Sequence, residues 1–199
     1  MRPMQMLMTL VLAAGLGLSG CGTTQQAKLY TLSPVQAPEK TDPLDITVNI
    51  TMVNLADYVD RPQIVTRTSA NEISISEFER WAEPLNEAIP RLVAENLSLL
   101  LGSARVATVS WQGSVAPDYA VLFEVIRFDG SLGGNVSLHY MYAILDREGK
   151  NVFEAKRSVL TEPTGGPGYE AMVSAASRAV AAMSREMAEA IRNIHAKSG

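Results

Sequence analysis

Cysteine is almost missing from these 199 residues: Cys21 is the only one, so no intrachain disulfide can staple the fold. Histidine is nearly as scarce. His139 and His195 stand far apart, and two isolated imidazoles without a second cysteine do not make a zinc site. Long basic runs are absent and the formal net charge is −4, which argues against nucleic-acid binding, because phosphate neutralisation needs clustered lysine and arginine. There is no G-x-S-x-G elbow, no Walker loop and no H-E-x-x-H pair. Charge is also missing from the whole stretch Met4 to Gly20.

That last absence has a specific form. Arg2 supplies a short positive start, and the apolar stretch that follows is short for a membrane span. It ends in small residues, as a secretory signal does. "LSGC", Leu18 to Cys21, matches the bacterial lipobox. The match implies cleavage between Gly20 and Cys21, a diacylglycerol thioether on Cys21, and acylation of its new amino group. A thiolate is the side chain nucleophilic enough to take the lipid. Two or three acyl chains hold firmly where one holds marginally, at ~0.8 kcal/mol per buried CH₂. Losing residues 1–20 removes Arg2 and leaves a net charge of −5. Gly22, rather than Asp, follows the cysteine, which under the enterobacterial sorting rule points to the outer membrane.

The whole chain is 47% hydrophobic and 19% charged, a globular balance, and the part after the signal is long enough for one domain with a core. Residues 21–28 read as lipidated terminus and tether, and 29–196 as the domain. "LYTLSP" suggests a short strand stopped by Pro34, and Val35 to Pro43 a loop. "ITVNITMV" alternates, with Ile46, Val48, Ile50 and Met52 on one face. "QIVTR" and "EISIS" predict a hairpin. Leu85, Ile89, Leu92, Val93, Asn96, Leu99 and Leu100 recur at helical spacing, and Gly102 provides the stop. Pro84 suits the first turn, whereas Pro90 should kink this helix or mark its true start. "RVATVSW" predicts a strand. "YAVLFEVIRF" is apolar on both faces, as in a central strand, and with "VSLHYMYAIL" and "VFEAKRSVL" predicts an antiparallel meander. A long alanine-rich helix from about Gly168 to Ala196 carries Met172, Ala176, Val180, Met183, Met187, Ile191 and Ile194 as its apolar stripe. The expected fold is α+β: one domain, a mostly antiparallel sheet, two main helices packed on it.

Candidate chemistry is thin. His139 reads as a hydrogen-bonded strand histidine and His195 as a surface residue in the last helical turn. Glu77 and Glu79 would share a face if extended, Glu83 and Glu87 if helical, so a paired acid and base is conceivable. "GGPGYE" could cradle an anion at a helix start, or simply be a loop. Two dense patches stand out, "DRPQIVTR" (Asp60 to Arg67) and "FERWAEPL" (Phe78 to Leu85). Arg61, Arg67, Arg80 and Trp81 allow a cationic and aromatic site for a lipid headgroup or a partner loop. They equally allow a fold junction, with Trp81 anchoring the helix start, Glu83 bonding its first amides and Pro84 fixing the backbone.

"LYTLSP" soon after the cysteine, "LADYVDRPQIVTR", "FERWAEPL" and "NLSLLLG" together resemble the ABC-type transport auxiliary lipoproteins, the PqiC-like (YmbA-like) family. The likeness runs from about Leu29 to Ile194. Its strongest carriers are Tyr58, Asp60, Arg61, Pro62, Gln63, Ile64, Val65, Arg67, Arg80, Trp81, Ala82, Glu83, Pro84 and Leu85. The resemblance implies a non-enzymatic subunit of an intermembrane phospholipid transport system, with no catalytic residue, metal or cofactor. The expected partners are a periplasm-spanning MCE-domain protein (PqiB-like), indirectly an inner-membrane ABC transporter or PqiA-like subunit, and further copies of this chain. A periplasmic lipid carrier and an outer-membrane assembly lipoprotein are the competing expectations.

Overall fold

The computed structural model describes residues 25–36, 42–108 and 116–198. The signal stretch, Gly20 and Cys21 therefore lie outside the described residues, as do Val109 to Trp111 at the end of "RVATVSW". Within them, eight strands and two helices follow in the order β1 (Lys28–Tyr30), β2 (Val48–Leu55), β3 (Gln63–Arg67), β4 (Ile73–Trp81), α1 (Leu85–Leu101), β5 (Val106–Thr108), β6 (Tyr119–Gly130), β7 (Asn135–Asp146), β8 (Asn151–Pro163) and α2 (Tyr169–Ser198).

β6 is the spine of the sheet. One edge pairs antiparallel with β7 along its whole length, and β7 pairs antiparallel with β8, which is the predicted meander. The other edge forks. Tyr119 to Val125 pair parallel with β2, which carries β5. The tip, Gly130, pairs parallel with Thr66 of β3. β3 and β4 form the predicted hairpin, and β1 closes that wing by running parallel to β4. The sheet is thus mixed, with its long ladders antiparallel and its wings attached by parallel pairs. Gly130 sits at the fork because any Cβ there would lie 2.8 Å from the Asn135 carbonyl oxygen.

Both helices pack on the sheet and on each other. Leu85, Ile89, Leu92, Val93 and Asn96 of α1 are buried as their spacing predicts, but Leu97 and Leu101 rather than Leu99 and Leu100 complete the stripe. The stripe drifts because 3.6 residues per turn do not hold one register over seventeen residues. Along α2, Met172, Ala176, Val180, Met183, Met187 and Ile191 are buried, joined by Ala175 and Ala179, whose small side chains let the backbone approach its neighbours. Gly102 ends α1 in the left-handed region at φ 65°, and its amide donates to the Ser98 carbonyl.

Three expectations need correction. Pro90 does not start α1; the helix begins five residues earlier, at Leu85. The carbonyl of Asn86, deprived of its partner at Pro90, belongs to an exposed residue that water can serve. In β2, Met52 is only half-buried, because a bulge between Met52 and Asn54 breaks the alternation and hands the inward position to Leu55. β6 is central, yet its outward side chains, such as Ala120 and Leu122, are only half-buried.

The segment after β1 is strapped across the helix pair. The amide of Ser33 donates to the Ser177 hydroxyl at 3.1 Å, and the amide of Val35 donates to Asn96 Oδ1 at 2.7 Å. Asn96 in turn donates through Nδ2 to the Ser184 hydroxyl at 3.1 Å. Asn96 and Ser184 are fully enclosed. Removing the amide leaves the Val35 N–H without this acceptor, and a buried unsatisfied group costs about 1–3 kcal/mol. Asn96→Ala should lower unfolding stability by about 2 kcal/mol in urea denaturation and make the 31–36 segment sensitive to limited proteolysis.

Candidate functional site: a buried carboxylate at the fork of the sheet

Asp129 stands next to the tip of β6, where β3 takes over from β2. Its carboxylate is completely buried. An ionised carboxylate in that position needs partners, and it has five hydrogen bonds. Oδ1 accepts from Arg67 Nε at 3.0 Å and from Arg127 Nε and Nη2 at 3.1 and 2.9 Å. Oδ2 accepts from Arg67 Nη2 at 2.8 Å and from the Tyr58 hydroxyl at 2.5 Å. Arg67 binds in the two-pronged geometry that suits guanidinium and carboxylate. Burial by itself would raise the pKa of Asp129, but the hydrogen bonds from Arg67, Tyr58 and Arg127 outweigh it and hold the carboxyl below its usual range. Burial and then the bond to Asp129 push the Tyr58 hydroxyl up to about 12. Arg67 is held more firmly protonated, chiefly by its own hydrogen bonds to Asp129. Both carboxylate oxygens are committed, so this group is a clamp rather than a poised acid or base.

Trp81 completes the junction from the other side. Its amide donates to the Pro62 carbonyl at 2.7 Å, and the amide of Ala82 donates to the Tyr30 carbonyl at 2.8 Å. Its buried side chain lies beside Val59, Val65, Leu85, Phe128 and Met172, around a cavity of about 10 Å³. The Tyr30 hydroxyl donates to Glu79 at 2.6 Å, which draws Lys28 and β1 onto the edge of β4; that bond, with burial, pushes Tyr30 up to about 12.

The two sequence patches thus meet, but not as an active site. Tyr58 and Arg67 join on Asp129. Asp60 is exposed and accepts from the Asn86 side chain at 3.3 Å. Pro62 and Trp81 are joined through their backbones, and Gln63 is paired with Arg80. Arg61 and Arg80 are half-buried, and neither Nε has a hydrogen-bond partner among the described residues. Glu83 does not bond the first amides of α1, as its position suggested. It pairs with Arg91. The cap position falls to Pro84, whose carbonyl accepts from Glu87 and Ala88. Glu77 and Glu79 lose regular alternation, because β4 shifts register against β3 and the Glu79 amide is taken by the Ser76 hydroxyl.

Asp129 and Arg127 were not foreseen. They sit in "IRFDG", which reads as a strand running into a turn, and nothing in its spacing ties Asp129 to Arg67, 62 residues away. The available signal was a lone carboxylate directly after a strongly apolar strand. His139 faces outward with Ser137 and Met141, and burial together with Arg127 lowers its pKa. His195 is exposed, with Nδ1 3.3 Å from the Tyr119 hydroxyl.

The described residues define a single mixed α+β domain, with two helices on a forked sheet. The family model of the ABC-type transport auxiliary lipoprotein component matches residues 30–188, and the chain belongs to that family. Among solved structures, a Xanthomonas campestris protein of the DUF330 family matches with a TM-score of 0.72 at 17% identity, over 86% of this chain and 98% of its own. A crystal structure of an uncharacterized protein matches with a TM-score of 0.68 at 20% identity, over 84% and 99%. No curated protein matches the sequence.

Asp129→Asn should cost about 3 kcal/mol, because two guanidinium groups lose their buried counter-charge. The carboxyl is depressed in the folded state. Its contribution is therefore complete above the unfolded pKa of about 4 and is lost as pH falls through the folded value. Urea denaturation across the acid range should show wild-type stability falling below about pH 4 and the Asn variant losing much less there. Trp81→Ala should cost about 3–5 kcal/mol, read as a lower thermal midpoint. A Trp81→Ala domain of unchanged stability that fails only to engage a partner would return the residue to a docking role.

Proposed function

We propose that the mature chain is a non-enzymatic, lipid-anchored subunit on the periplasmic face of the outer membrane. It docks an MCE-domain protein of the PqiB-like kind, which connects it to an inner-membrane ABC transporter or PqiA-like subunit, and it acts as a homo-oligomer in phospholipid transport. The observation that carries this reading is the family match, which starts at Tyr30, just beyond the lipobox cysteine. A transport auxiliary domain held by its own N-terminus can serve as the fixed end of a transport path. The tether from Cys21 to Lys28 reaches at most ~25 Å, so a second protein must cross the periplasm.

The enclosed cavity beside Trp81 cannot hold an acyl chain. At about 10 Å³ it has room for about one water molecule, whereas sites for drug-sized ligands take roughly 300–1,000 Å³. An acyl chain needs a comparable space. The five hydrogen bonds on Asp129 favour a structural role for the buried charge on which Tyr58 and Arg67 of the signature converge.

Cys21→Ala should leave a folded domain that no longer sediments with membranes. A variant that stays in the outer-membrane fraction rules out the anchor. Crosslinked pull-down of the wild type should recover an MCE-domain protein; recovery of a β-barrel instead would favour the assembly reading. Native mass spectrometry of the delipidated mature domain should show no bound phospholipid.

A further inference from the structure

Two arginines of the signature take no part in the clamp. Arg61 and Arg80 are half-buried, and neither Nε has an acceptor. Among the described residues neither guanidinium has a carboxylate within ion-pair distance, although the chain as a whole is acidic. Their Nε atoms are buried, and the half-exposed Nη ends of both guanidinium groups are open to an acceptor from outside the fold.

Their placement says what that is. Arg80 is paired with Leu29 on one side and Gln63 on the other. Trp81 points into the core, so strand alternation puts Leu29, Gln63 and Arg80 on the opposite, outer face of the β1–β4–β3 wing. Arg61 lies two residues before Gln63, beside the Pro62 carbonyl that receives the Trp81 amide. Glu79, adjacent to Arg80 on β4, is engaged by Tyr30 and Lys28. Leu29 is 64% exposed on a three-residue strand at the outer edge of the sheet. β1 is also where the tether ends. The distance from Cys21 to Lys28, at most ~25 Å, keeps this wing within that reach of the anchored membrane.

We infer that the outer face of the β1–β4–β3 wing rests on the anchoring membrane, with Arg61 and Arg80 binding the phosphates of anionic phospholipid headgroups and Leu29 inserted among them. The inference rests on acylation of Cys21. The chemistry is complementary: guanidinium donors match phosphate oxygens in pairs, and an exposed leucine beside them gains burial at the interface. Each arginine near an anionic leaflet favours the membrane-facing orientation about fivefold over the averted one. The anchor alone gives attachment without orientation. The wing fixes which way the rest of the domain faces.

The test uses the full acylated protein in vesicles, with a bimane label on Leu29→Cys, since acylation blocks Cys21. The control label is on Val159→Cys, 58% exposed on β8 at the far edge of the sheet. On phosphatidylglycerol-containing vesicles carrying doxyl lipid, the label at 29 should be quenched several-fold more than the label at 159. That difference should shrink on phosphatidylcholine alone and in high salt. Arg61→Gln with Arg80→Gln should abolish the dependence on phosphatidylglycerol, and Arg61→Lys with Arg80→Lys should retain most of it. If the glutamine pair fails to fold, the salt and lipid series on unaltered arginines decides. Equal quenching at 29 and 159, or no response to lipid charge, overturns the inference. So does protection of position 29 that arises only when an acidic partner protein is added. An intact mass without acyl chains overturns the anchor reading and this inference together, whereas an acylated protein with averted label overturns this inference alone.

Discussion

One buried charge organises this domain. Asp129 lies where the sheet divides, and its five hydrogen bonds tie together β6, β3 and the loop after β2. Without a counter-charge the carboxylate could not stay ionised in that position, and without the carboxylate Arg67 and Arg127 would be left without their buried partner. The direct ladder between β3 and β6 is one residue pair, Thr66 with Gly130. Side-chain electrostatics therefore supply at the fork what backbone hydrogen bonds supply elsewhere in the sheet. The cost of desolvating three charges is offset by geometry that only one arrangement of the wings provides, so the clamp specifies orientation as well as adding stability.

Around that clamp the N-terminal segment is tied firmly into the domain. β1 docks on the sheet edge through Tyr30 and Glu79, and the strap that follows is pinned to both helices by Asn96 and Ser177. A pull on the N-terminus is thus received by the folded body rather than by a loose end. Trp81 sits at the meeting of these parts, its backbone joined to β3 and its ring enclosed by residues of the sheet, α1 and α2. In the proposed dock, this rigidity carries the orientation of the membrane-facing wing through to the partner surface.

Much of this was legible in the chain. Alternation and 3.6-residue periodicity placed both helices, the hairpin and the meander, because burial of one face leaves a periodic trace in sequence. Gly102 marked the end of α1 for a reason local to its own backbone. The errors share a cause. Regular spacing assigns Met52, Leu99, Leu100 and Glu83, and a bulge, a drifting stripe and a nearby Arg91 override it in turn. The signature residues were recognised as a group, yet their spacing could not say that Tyr58 and Arg67 converge on one carboxylate while Arg61 and Arg80 do not.

The sequence by itself determined the elements, their buried faces, the resemblance to a lipoprotein family and the expectation of an anchor at Cys21. Each of these depends on residues close together along the chain. The tertiary structure alone decided the fork, the parallel attachment of the wings, and the pairing of Asp129 with residues more than sixty positions away. It also decided which arginines are neutralised and which have no ion-pair partner among the described residues. Those outcomes follow from which strands become neighbours. Strand neighbours are selected by the burial of the whole core, and no local pattern records that choice.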